Sequence, residues 1–490
     1  MSSPPAPKFV FRGHQAAVHA AAFLRNNERL ATGDSQGFVV LWDLIIMRAR
    51  AVWRAHEDAI LGLCGWGRDK IITHGRDHRL IVWQLAEKDE SGLSTVLPLD
   101  GSTEDRRNPW ILHILEVNTM NFCSFSACAV DEGASYTRFL GASSEILIAV
   151  PNTLASEAVD IFSLPSQKRI HTIKSGSANG MAMSLSLLHH HQQQNTLTLI
   201  AGFENGYASV HQLCSSTGTW ILTYRSQVHS QPILSLDVRP EIRSSNGNDG
   251  NGNGNGNNTY SFFTSGADAI IAKHPVPVTK QEIAKPFDPS ERIIEEIDTK
   301  TPHNPSLSLL SRSLHNNNNN NDDDEATAAA SSQQKNNPPP KQTTLLQEWK
   351  HAKNVINTRH SGQQSLKVRS DGSIFATAGW DSKIRVYSCQ TMKELAVLKW
   401  HKEGAYAVTF SDVGPPSLIR GSSGAEDTVT QTKTQAQKQA QKQAQTQTQT
   451  DREIDVSRLS VTDRRNHRVR KAHWVAAGAK DGRVSLWDIY

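Results

Sequence analysis

The chain has 490 residues, 37% of them hydrophobic and 20% charged. An ordinary globular domain is ~45–50% apolar, glycine included, so part of this chain packs no core. Its 52 Lys and Arg face 48 Asp and Glu, a formal +4, which excludes a general polyanion binder and leaves only local basic patches. No apolar run reaches the ~18 residues of a membrane span, and the first residues, MSSPPAPKFVFRGH, show no secretory signal pattern.

In chain order, KFVFR (8–12) reads as a short strand. Gly13-His14 then precedes an alternating strand, and GDSQGFVVLWD ends at Trp42-Asp43. The next unit opens on Ala55-His56 and closes with THGRDHRLIVW at Trp83, 41 residues after Trp42. That spacing falls inside the ~40–45 residue period of a WD repeat. The chain ends in the same phrase, AAGAKDGRVSLWDIY, with Trp487-Asp488. The remaining units are found by position. The Trp slot holds Trp42, Trp83, Phe162, His211, His274, Tyr387 and Trp487. Six residues earlier stand Gln36, Asp77, Ser156, Asn205, Asp268, Asp381 and Asp481; ten earlier, Thr32, Thr73, Asn152, Ala201, Thr264, Thr377 and Ala477. Five units carry a histidine before the first strand: His14, His56, His229, His360 and His401. Seven in-phase slots predict an all-β fold, a seven-bladed WD-repeat β-propeller.

Three tracts interrupt the repeat: 243–258 (Gly/Asn-rich), 275–343 (Asn316 to Asn321, then DDDE) and 416–471 (KQAQKQAQTQTQ). They bury almost no apolar area against ~1–2 kcal/mol of backbone entropy per residue, so disordered loop insertions are expected. The remainder, about 350 residues or ~50 per unit, suits seven four-stranded blades. One domain, 8–490, follows. The chain ends on the third strand of a blade, so strand 8–12 is expected to close the seventh blade from outside.

The repeated polar residues read as structure. In a WD blade the His, Thr, Asp and Trp satisfy one another, because an unpaired buried polar group costs ~1–3 kcal/mol. His56, Thr73, Asp77 and Trp83 make one set. His360, Thr377 and Asp381 make a second, closed by Tyr387. His229, Thr264 and Asp268 make a third, and His401, Asp481 and Trp487 belong to the last blade. The third and fourth units lack the Asp and the His. The tracts fall between the first and second, or third and fourth, strands of their blades, with an outer strand of unit five expected near Thr344–Lys350. All then emerge on one face, and partner contacts are expected on the other. Trp380 in the turn GWDSK is the candidate anchor there.

Catalytic, metal and cofactor sites are not indicated. The carboxylates Asp131-Glu132, Glu295-Glu296 and Asp322–Glu325 lack paired placement, and no phosphate loop or nucleophile elbow occurs. Cys64, Cys123, Cys128, Cys214 and Cys389 read as reduced thiols of a nuclear or cytosolic protein. RRNHRVRK, with Arg464, Arg465, Arg468, Arg470 and Lys471, reads as a solvated loop end or as a nuclear-import or nucleic-acid patch, without the interleaved aromatics of base stacking.

The segments PKFVFRGHQAAVHAAAF, TGDSQGFVVLWDL, RAHEDAILGL, SDGSIFATAGWDSKIRVYSCQTMKELAVLKWHKEGAYAVTF and HWVAAGAKDGRVSLWDIY resemble the fungal ASTRA-associated WD-repeat family, itself similar to G-protein-beta-like propellers. The resemblance implies a nuclear, non-enzymatic subunit of the ASTRA complex. It implies partners of three kinds: a phosphatidylinositol-kinase-like protein, Tel/Tti-type cochaperones and AAA+ helicases. It also implies links to chromatin remodelling and to assembly of the kinase-like proteins. Two other readings stay open: a chromatin reader binding a histone tail or nucleic acid directly, and a G-protein-beta-like signalling scaffold. A propeller hydrolase would need convergent carboxylates at the axis.

Overall fold

In the computed structural model, every residue is described except 1–4, 102–105, 119–121, 131–144, 191–195, 240–259, 278–351, 414–459 and 490. The strands form seven antiparallel four-stranded sheets. In each sheet the strands are named a to d from the axis outward. The inner strands a are Val18–Leu24, Ile60–Trp66, Ser126–Ala129, Ala182–His190, Ile233–Arg239, Gln363–Val368 and Ala405–Phe410. The outer strands d are Arg48–Arg54, Trp110–Glu116, Lys168–Lys174, Trp220–Gln227, Asn354–Asn357, Glu394–Lys399 and, for the seventh blade, Phe9–Arg12.

Burial explains the composition of each strand. The b strands, such as Arg29–Asp34 and Ile374–Gly379, are buried along their whole length, because neighbouring blades cover both sheet faces. They are therefore apolar or small without alternation. An a strand borders the channel, so Val18–Leu24 mixes buried and half-buried positions. Apolar clusters fill the seams between blades. Trp53 meets Trp83 edge-on at 6.3 Å in the seam of blades 1 and 2. Phe11 lies 4.8 Å from Trp42 in the seam of blades 7 and 1.

Two irregularities recur and show that the degenerate units are genuine repeats. The a–b pairing slips one residue after the first a-strand position in six blades, at Val18, Ile60, Ala182, Ile233, Gln363 and Ala405. The c–d pairing slips at the Trp slot in five blades, at Trp42, Trp83, Phe162, His211 and Tyr387. Such bulges sharpen local twist, and here they fall in one register whatever residue fills the slot.

The last blade runs Phe9–Arg12, Arg483–Asp488, Trp474–Ala479, Ala405–Phe410 from outside inward. Phe9 lies opposite Leu486 and Arg12 opposite Arg483. The outer strand of blade 5 is Asn354–Asn357, later than the stretch near Thr344–Lys350, which lies outside the described residues. Of the three expected insertions, 243–258 lies wholly outside the described residues. Residue 275 instead ends the strand Ile270–Pro275, and Val276 behind it is buried. The end of 416–471 is also corrected: Val461–Lys471 is an α-helix, α1. Ser460 caps it, its hydroxyl accepting from the Asp463 N–H at 3.1 Å. Arg468, Arg470 and Lys471 in its last turn suit the helix dipole. No helix among the described residues is long and apolar enough to cross a membrane.

Candidate interaction face

The repeated polar residues are accounted for first, because what they bond decides what is left for partners. In blade 2, His56 Nδ1 meets Asp77 Oδ1 at 2.8 Å and His56 Nε2 meets Thr73 Oγ1 at 2.7 Å. Trp83 Nε1 donates to the same hydroxyl at 2.9 Å, and the Glu57 N–H donates to Asp77. Burial alone would raise the Asp77 carboxyl, but hydrogen bonding to His56 and its charge hold it below its ordinary value. Blade 5 repeats this with His229, Asp268 at 3.0 Å and Thr264 at 2.9 Å. There His274 fills the Trp slot, bonded to Thr264 at 3.0 Å and to the Tyr224 hydroxyl at 2.9 Å. In blade 7 the Thr position is Ala477, and Ser485 supplies the hydroxyl. It meets His401 at 2.8 Å and accepts from Trp487 Nε1 at 2.9 Å, with Asp481 3.6 Å from the ring.

Blade 6 departs from the expected set. His360 is exposed and takes no part. Thr377 donates instead to Gln363 Oε1 at 2.8 Å, and Asp381 pairs with Arg385 at 2.6 Å. Gln363 is the first residue of strand a, so its amide enters from the strand where blades 1, 2, 5 and 7 send a ring in from the preceding link. Tyr387 stacks on Phe375 at 5.0 Å. Blade 1 holds a complete set that the spacing misplaced. The acid is Asp34, not the Gln36 slot: His14 meets Asp34 at 2.7 Å and Thr32 at 2.7 Å, and Trp42 donates to Thr32 at 2.8 Å. The Asp34 carboxylate also accepts the Gln36 and Phe38 amides. The aspartate directly after Gly33 was the signal. Blade 3 substitutes Asn152, which donates to Asp160 at 2.8 Å while Thr172 donates to Asp160 at 2.6 Å. These groups are committed to holding blades.

The b–c turns and the d–a links share one side of the ring, here the link face; the a–b and c–d turns share the other, the insert face. Gly37 and Gly206 show how tightly the link face is built. Both have φ near +80°, at 84° and 78°, and a Cβ on either would fall 1.9 Å from the carbonyl oxygen of His56 or His229. Around the channel mouth on this face lies an arc of rings. Trp380 is 42% exposed and donates from Nε1 to Gln364 Oε1 at 2.9 Å. Gly362 lets one side of the ring lie against the backbone, since a Cβ there would fall 2.8 Å from it. Tyr406 meets His19 at 5.3 Å, and the Arg76 guanidinium sits 4.5 Å from the centre of the exposed Phe122 ring. Burial lowers the His19 pKa, with smaller effects of Asp34 and Arg76. Behind the rim the channel has a volume of about 480 Å³. Its wall mixes Ala and Ser with Leu and Phe, and carries Asp237, Lys367 and Asp412 as mixed charges. Asp237 accepts the Val368 amide at 2.8 Å. No cluster of three or more His, Cys, Asp or Glu suited to a metal occurs among the described residues.

The insert face is built up rather than merely permissive. Residues 85–101, leading from strand c of blade 2, cross the outer edge of blade 1. Leu93 packs in one seam of that blade and Leu97 in the other. The Val52 N–H donates to Ser94 O at 2.8 Å and the Leu99 N–H to Gly13 O at 2.9 Å. Glu90, fully buried, accepts from Arg25, from Arg29 at 3.0 Å and from Arg50 at 3.0 Å. Burial would raise this carboxyl, but the guanidiniums keep it below its ordinary value. Helix α1 docks on the same blade: Val469 joins the seam core, and Arg470 donates to Glu28 at 2.8 Å. Of the five cations in the sequence patch, Arg470 is thus engaged, while Arg464, Arg465, Arg468 and Lys471 are exposed.

Residues 5–43 and 353–388 match the family model of the WD domain, G-beta repeat. With the seven sheets and their shared bulges, this defines the class: a WD-repeat β-propeller protein. ASTRA-associated protein 1 of Pyricularia oryzae is 44% identical across 100% of this chain and 98% of its own length. The protein of that name from Verticillium alfalfae is 43% identical over 100% and 94%, and that from Aspergillus niger 36% over 99% and 98%. The chain belongs to the ASTRA-associated protein 1 family.

Proposed function

We propose that the ring is a non-enzymatic scaffold subunit of the ASTRA complex that engages its partners through the link face. The observation that carries this reading is the ring arc of Trp380, Tyr406, His19 and Phe122 at the channel mouth. The relatives' names support the complex, and the arc supports the choice of face. Exposed aromatic rings beside a guanidinium are efficient anchors, because they bring large contact area at little entropy cost. A pre-closed ring also orders little additional chain on binding.

The partners proposed are the kinase-like protein, the Tel/Tti-type cochaperones and the AAA+ helicases of that assembly. The location proposed is the nucleus, and the role is kinase assembly linked to chromatin remodelling. The mixed charges of the channel wall give no special support to direct histone reading. The test is affinity purification of the tagged protein with mass spectrometry, on wild type and on Trp380→Ala and Phe122→Ala. The wild type should recover kinase-like and AAA+ subunits. Each variant should lose ~2 kcal/mol or more of affinity, about thirtyfold, with its melting temperature unchanged. Purified ring that binds histone peptides or DNA tightly without other subunits would turn the assignment to the reader.

A further inference from the structure

A propeller ends each blade in an edge strand, and every second N–H and C=O of that strand lacks a ladder partner. The seven edges of this ring are not treated alike. Blade 1 is covered by the chain itself, with Val52 bonded to Ser94. Blades 5 and 7 have four-residue outer strands. Blade 3 carries Lys168, Arg169 and Lys174 on its edge, and blade 6 Glu394 and Lys399. In blade 4, Trp220 packs on His171 at 5.5 Å and Arg225 interrupts the apolar run. These are the usual protections of an edge.

Among the described residues, blade 2 has none of them. Its outer strand reads WILHILE over seven residues, with the only charge at Glu116. Trp110 is 77% exposed, Ile114 44% and Ile111 40%. Ile114 pairs opposite Ile81, and Ile111 opposite Trp83, so the strand is anchored to a dry core, and among the described residues no strand pairs with its outer side. Its surroundings are cationic. Arg107 precedes it, exposed. Lys168 follows Gln167, whose amide meets His113 at 3.0 Å in the middle of the strand.

We propose that the outer edge of blade 2 receives, as a fifth strand, an extended segment of a partner protein that is apolar at alternate positions and acidic between them. The backbone of such a segment would satisfy the open N–H and C=O groups. Its apolar side chains would cover Ile111 and Ile114, and its carboxylates would meet Arg107 and Lys168. This site lies on the rim of the ring, apart from the link face.

Hydrogen exchange of the tag-purified native assembly, compared with the isolated ring, tests this. Amides 110–116 should exchange roughly tenfold slower or more in the assembly, while amides 394–399 of blade 6 keep their rates. Trp110→Lys and Ile114→Lys should abolish that protection and release one subunit, with the melting temperature of the isolated ring unchanged. Trp110 is exposed enough that its variant folds. If the link-face turn around Trp380 is protected and 110–116 is not, the edge proposal is wrong and the scaffold reading stands. Protection of 110–116 that survives both lysine variants overturns it as well.

Discussion

At the scale of single residues, one hydroxyl serves two rings in each complete blade. Thr73 accepts from Trp83 and meets His56, both buried. Thr73→Ala leaves two polar groups without a partner, and a loss of about 2–4 kcal/mol is expected in chemical denaturation. In blade 6 the same logic moves to Gln363. Gln363→Ala should cost ~1–3 kcal/mol, whereas His360→Ala should stay within ~0.5 kcal/mol, as for an exposed residue. Equal losses at His360 and Gln363 would contradict the hydrogen bonding of this blade. The contrast also shows where the sequence misleads. His360 has the residue type of the motif but stands one position out of step: four residues on lies Gln364, while the strand begins at Gln363. Asp34 in blade 1 was hidden in the same way, two positions before the slot. Spacing located the Trp slot in every blade, and in five of them a backbone bulge marks it. It located the polar partners less well, because a side chain of another length can reach the same hydroxyl from a neighbouring position.

At the scale of elements, the b and c strands were legible because continuous burial leaves a continuous apolar run, as in FVVLWD and RLIVWQ. The crossing segment 85–101 and helix α1 were not. Each is polar along most of its length and holds on by a few residues: Leu93, Leu97 and Glu90 in one, Val469 and Arg470 in the other. No periodicity in composition announces such anchoring. It arises from what lies opposite, chiefly Arg25, Arg29 and Arg50 around Glu90 and Glu28 beneath Arg470. Glu90→Gln removes a buried charge from among three guanidiniums, and breaking such a pair costs about 3–5 kcal/mol. The effect should be local at first. The amide of Val52, bonded to Ser94, should lose its exchange protection before the ring melts. Val52 protection unchanged in Glu90→Gln would show that Leu93 and Leu97 hold the segment without the ion cluster.

At the scale of the whole molecule, a ring has no independent blade: each seam core is shared, so the weakest seam sets the stability of all seven. The seam of blades 7 and 1 is the one the chain must close with its own two ends. Phe11, 1% exposed, fills it against Trp42. The Lys8 N–H donates to Leu486 O at 2.7 Å beyond the end of the strand. Leu97 and Val469 enter the same cluster, so both insert-face elements lean on this closure. Removing residues 1–12 uncovers the Arg483–Asp488 strand and that entire cluster at once. Phe11→Ala alone should cost ~3–5 kcal/mol. That corresponds to a fall of about 4–7 °C in melting temperature at ~2.1 cal/mol/K per residue over roughly 350 ordered residues. The truncation should fall further and still melt in one transition, because an open seam destabilises its neighbours in turn. A truncated chain that keeps its melting midpoint and merely exchanges faster along Arg483–Asp488 would show that the ring closes without its N-terminal strand. The stability would then have to reside in the blades singly, which their shared seam cores do not supply.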